Sequence, residues 1–149
     1  MSNDEMEQPN HTPSLPSLSE QEERTWSVLV HLSILGNLIT GFLGVIAALV
    51  IFLVYRDRSR YVAYQSLQAL IFQIIGWVIG GTIAGLFWAF TGILSAIIVG
   101  ICLIPFAILL SLIPLAAIGY GIFGALKCNQ GEDFQYWLIG DWVRETYTG

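Results

Sequence analysis

The sequence predicts an all-α membrane protein with three to four transmembrane or re-entrant helices, and three observations carry that reading. Hydrophobic residues make up 55% of the 149-residue chain and charged residues only 11%, too apolar a balance for an ordinary soluble surface. Neither residues 25–55 nor residues 61–126 contain an Asp, Glu, Lys or Arg. Between these gaps stands a short loop with Arg56, Arg58 and Arg60. A membrane-crossing helix needs about 20 residues, so the first gap has room for about one crossing and the second for two or three.

Residues 1–19 combine Pro9, Pro13 and Pro16 with Asp4, Glu5 and Glu7 and read as a disordered acidic tail without the basic leader of a secretory signal. Asn10-His11-Thr12 matches a glycosylation sequon, too short a pattern to carry weight. The helical membrane domain, residues 20–126, opens with Ser19 and Glu22 at capping-box spacing. Its first segment, about 25–55, is bordered by Trp26 and Tyr55 at the positions aromatic belts favour. Gly36, Asn37, Thr40, Gly41 and Gly44 break this segment in the middle. It is compatible with a kinked single crossing and with two half-helices that turn back.

The arginines of loop 56–60 place that loop in the cytoplasm of a cell inner-membrane protein by the positive-inside bias. A second segment, about 61–90, then runs to an uncharged turn at Phe90, Thr91 and Gly92. The third, about 93–126, contains Pro105 and Pro114 and returns to Lys127, a residue suited to the negative end of a helix. The C-terminus is therefore expected inside, and residues 127–149, with Phe134, Tyr136, Trp137, Trp142 and Tyr147, form an aromatic tail at the interface.

Few residues offer chemistry. On the second helix Gln65, Gln68 and Gln73 share a face with Ala69, Phe72, Gly76 and Gly80. Together with Asn37 these amides either bond neighbouring helices, line a polar path or meet a partner, because an unpaired amide in lipid is costly. Small residues recur four apart at Gly76 and Gly80, at Gly81 and Gly85, and along Gly92, Ala96 and Gly100. That spacing lets helix backbones approach, so other membrane-protein subunits or further copies of the chain are expected partners beside the lipid bilayer. His31 is the one candidate cofactor ligand, and it lacks the companion ligands of a metal centre. Cys102 and Cys128 read as free thiols. No cofactor, metal, nucleic-acid partner or enzymatic reaction is expected.

Three blocks resemble a large, uncharacterised bacterial membrane-protein family related to the twenty-kilodalton component of the chloroplast inner-envelope import translocon (Tic family). They begin at Glu23-Arg24-Thr25-Trp26, at Tyr61-Val62-Ala63-Tyr64-Gln65 and at Lys127-Cys128-Asn129-Gln130-Gly131. Gln65 stands where that family often has His, and Trp137 where it usually has Pro. The resemblance implies a compact domain of three or four helices and a link to protein translocation. The residues themselves point first to a non-enzymatic accessory, scaffolding or assembly subunit, with a channel or protein-translocation component as the alternative.

Overall fold

The computed structural model describes residues 17–148; the sequon, His11 and the rest of residues 1–16, like Gly149, lie outside the described residues. Helix α1 (Glu20–Leu32) starts where the capping box closes: the Ser19 hydroxyl accepts the Glu22 N–H at 3.3 Å, and the Glu22 carboxylate accepts the Ser19 N–H at 2.8 Å. Hydrogen bonds from Ser19, the backbone one foremost, hold the Glu22 carboxyl below the usual carboxylate range. The cap's contribution is therefore present at neutral pH and is lost as pH falls through that lowered value.

A 3-10 turn (Ser33–Gly36) and the short α2 (Asn37–Thr40) lead to Gly41, whose φ of +85° lies in the left-handed region that glycine tolerates best. Helix α3 (Leu43–Tyr55) then runs back. The rings of Trp26 and Tyr55 stand 4.7 Å apart, so the two ends of the first segment lie at one level. The segment broken between Gly36 and Gly44 turns back rather than crossing. Gly44 makes the hairpin this tight: a Cβ there would fall on the Ser33 carbonyl and within 2.7 Å of Gln73 Oε1.

Ser59 caps α4 (Arg60–Gln73) by accepting the Val62 N–H at 3.1 Å. The helix continues through a π-helical stretch (Ile74–Ile79) into α5 (Gly80–Ser95), making one apolar rod of 36 residues. Contacts change partner across the π stretch. Gln73 faces the hairpin, whereas Cβ atoms added at Gly76 and Gly80 would meet Ala117 and Ile113 of α6 (Val99–Asn129) at 2.8 and 2.9 Å. The α4–α5 rod and the 31-residue α6 are long and apolar enough to cross a membrane. Helix α6 runs through Pro105 and Pro114, each unable to donate a backbone hydrogen bond.

The turn between the long helices lies at residues 96–98, not at Phe90, Thr91 and Gly92. The reason is local. Gly92 stays helical within an unbroken apolar run, and Gly100, having no side chain, allows α6 to close against the backbone of Thr91 and Ser95. The segments expected at about 61–90 and 93–126 thus become Arg60–Ser95 and Val99–Asn129.

After α6 the aromatic tail folds back onto the hairpin and long helices, ending in α7 (Gly140–Thr148). Phe134, Tyr136 and Ile139 are buried with Cys128, while Trp137, Leu138 and Trp142 remain exposed. The Tyr147 hydroxyl donates to the Arg56 carbonyl at 3.3 Å and its ring meets Phe52. These contacts gather all six Lys and Arg residues of the chain at one end of the bundle. A hairpin first segment predicts that an N-terminal tag, loop 56–60 and a C-terminal tag all react with an impermeant reagent from the same side of sealed vesicles. Protection of the N-terminal tag alone would mean a single crossing.

Candidate functional site

Where the tail crosses the hairpin, polar side chains with no water at bilayer depth must find partners in the chain. Helix α1 presents His31 and α4 presents Gln65, both essentially fully buried. His31 Nε2 lies 3.0 Å from Gln65 Oε1, and Nδ1 lies 2.9 Å from the Tyr136 hydroxyl. The amide oxygen can only accept, so Nε2 carries a proton, and in the neutral imidazole Nδ1 then accepts from Tyr136. Burial raises the Tyr136 phenol above its ordinary range, which keeps it a donor. Gln65 Nε2 donates to the Phe134 carbonyl and to Asp133 Oδ1, each at 3.1 Å. Gln68 donates to the Phe134 carbonyl at 3.3 Å and accepts the Tyr136 N–H at 3.1 Å.

Aromatic rings enclose this network. Phe72 stacks on Tyr136 with centroids 4.1 Å apart, and Phe134 meets His31 edge-on at 5.4 Å. Close approach of α6 completes the wall, since a Cβ at Gly124 would lie 2.7 Å from Phe134 and 3.2 Å from His31 Nδ1. At the rim Asp133 pairs with Arg144, whose guanidinium also sits over the Tyr64 ring.

A second network holds the hairpin turn. Asn37 Nδ2 donates to Gln73 Oε1 at 3.0 Å, and Asn37 Oδ1 accepts the Gly44 N–H at 2.8 Å. Gln73 Nε2 donates to Ser33 Oγ at 3.1 Å, and the single proton of that hydroxyl is shared between the carbonyls of Val30 at 2.7 Å and Gly44 at 3.1 Å. Trp77 seals the turn by donating to the Gly41 carbonyl.

The four amides singled out in the sequence therefore divide between two networks, Gln65 and Gln68 with His31, Gln73 with Asn37. Both ring nitrogens of His31 are engaged, so a ligand there would have to displace Gln65 or Tyr136. Among the described residues no three His, Cys, Asp or Glu side chains are grouped as a metal site. Gly76, Gly80 and Gly100 are used for contacts inside the chain. Gly81, Gly85 and Gly92 are not: a Cβ added at any of them meets nothing within 4 Å, and Ala96 is exposed as well. Tyr136, Ser33 and the Asp133–Phe134 corner escaped the sequence reading because their partners lie up to 105 positions away. The one available signal was an excess of buried amides without neighbours of their own.

Tyr136→Phe leaves one buried acceptor unpaired and is expected to destabilise the protein by about 1 kcal/mol, whereas Gln65→Leu strands several partners and should cost roughly 2–4 kcal/mol. Thermal unfolding in mild detergent checks the order; equal melting temperatures for both variants and the parent would contradict these assignments.

The described family whose model matches residues 22–143 is the magnetosome magnetite crystal formation protein family (MamF/MmsF). No curated protein and no solved structure matches the chain. The match lends no support to a link with the chloroplast import translocon.

Proposed function

The chain belongs to the magnetosome magnetite crystal formation protein family, and from that premise we propose that it is a non-enzymatic integral membrane accessory that serves crystal formation by assembling with another membrane protein or with further copies of itself. One observation carries this reading. The buried amides and His31 that could perform chemistry are paired within the chain, while α5 leaves a strip of small residues open, with Gly85, Gly92 and Ala96 exposed and Gly81 half-buried with room for a side chain. In lipid, small residues at this spacing favour close helix contact, since no hydrophobic force separates helix from acyl chain.

Charge supports one disposition in the membrane. All Lys and Arg residues lie at the end that holds loop 56–60 and the tail, and the positive-inside bias assigns that end to the cytoplasm. Exposed Trp137 and Trp142 suit the interface there. A translocation role like that of the import family rests on the resemblance alone. The pairing of Asn37, Gln65, Gln68 and Gln73 with their own chain favours packing over a hydrated path.

Gly85→Cys in a Cys102→Ser, Cys128→Ala background tests the assembly surface. Thiol cross-linking in native membranes should give a product at twice the chain mass or a discrete adduct with one other membrane protein. A chain that stays monomeric under all cross-linking conditions would overturn the proposal.

A further inference from the structure

The number of helices side by side halves partway along the molecule. From the charged end, α1, α3, α4 and the last part of α6 run together. Level contacts fix this: Glu23 bonds Ser59, His31 bonds Gln65, Trp26 meets Tyr55, and Gly121 and Gly124 of α6 face Ile34 and His31. The hairpin tip ends at Gly41, which accepts from Trp77. Beyond that level only α5 and its facing stretch of α6 continue among the described residues, from Gly80 against Ile113 to Gly100 against Thr91.

Lengths place the step near the bilayer midplane. The 13 residues of α3 and the 16 of α5 reach about 20 and 24 Å at 1.5 Å per residue, each near half of a bilayer about 40–45 Å thick with its headgroups. The hairpin lies within the acyl layer and not above it, for Leu38, Ile39, Phe42, Ile46, Val50 and Leu53 are all exposed. Taking each helix as about 11 Å across, four helices displace about 400 Å² of one leaflet and two displace about 200 Å² of the other. Gly81, Gly85 and Gly92 slim the narrow half further, with open space where their side chains would be.

We propose that the chain is a membrane wedge that favours curved bilayers with its charged end on the convex face. An inclusion that is wider in one leaflet expands that leaflet relative to the other, and curvature toward the narrow side relieves the mismatch. The recognised ligand is the bilayer itself, through its shape, with no headgroup specificity.

The test uses the full chain with an N-terminal fluorophore, reconstituted into mixed small and large unilamellar vesicles of one lipid composition. Protein is diluted until the Gly85→Cys chain no longer cross-links, so sorting is read on monomers and is separable from the assembly proposal. The wedge predicts about threefold or greater enrichment per unit area on the small vesicles, with loop 56–60 outward. Gly81→Leu, Gly85→Leu and Gly92→Leu together fill the narrow half where space is open, and leucine suits a helix better than glycine. This variant should retain the parent's unfolding temperature or exceed it and lose at least about half of the enrichment. Equal density of the parent chain on both vesicle sizes, or enrichment undiminished in the triple variant, would overturn the proposal.

Discussion

Carboxamides carried into a bilayer must be satisfied by the protein that carries them, and Gln65 shows what that demands. Its oxygen takes the His31 N–H and its nitrogen serves Phe134 and Asp133, so one α4 side chain ties α1 to a tail that is 68 residues further along. With no water as competitor, the cost of leaving such a group unpaired is what specifies the arrangement. Remove that requirement, and the tail keeps its aromatic contacts and the Tyr147–Arg56 hydrogen bond but loses its amide ties to α4. Asn37 and Gln73 impose the same requirement on the hairpin turn, where glycines at 41 and 44 allow the backbone to reverse and approach.

From these two networks follows an asymmetry that runs through the whole molecule. The paired amides and His31, the cations, the tail and the re-entrant hairpin gather in one half, and the other half is a two-helix rod bearing no charge, its polar groups confined to hydroxyls such as Thr82, Ser95 and Ser111 and the indole of Trp88. The half rich in hydrogen bonds is also the wide one. Chemistry and shape are thereby linked, because the amides that keep the hairpin folded back are what keep it from crossing.

Much of this was legible in the sequence, and the reasons differ by element. Two charge-free gaps and a cationic loop identify a helical membrane protein because lipid excludes charge so strongly. The break between Gly36 and Gly44 was readable as composition, yet its outcome depended on Trp26 meeting Tyr55 and on Asn37 meeting Gln73, contacts that no local pattern encodes. The turn after α5 was misplaced because Thr91 and Gly92 resemble a break, while the close approach of Gly100 to Thr91 that fixes the turn is tertiary. Glycine pairs looked equivalent along the chain; only the position of α6 separates Gly76 and Gly80, which are covered, from Gly81 and Gly85, which are open.

The central claim is that the buried amides are consumed by the fold. Side-chain hydrogen exchange on protein labelled with 15N only at glutamine, in detergent or nanodiscs, addresses it directly. The carboxamide protons of Gln65, Gln68 and Gln73 should exchange far more slowly than those of the exposed Gln130, because each group is buried and bonded within the chain. Exchange of all four at the same rapid rate would mean that water reaches the network, and would contradict the account.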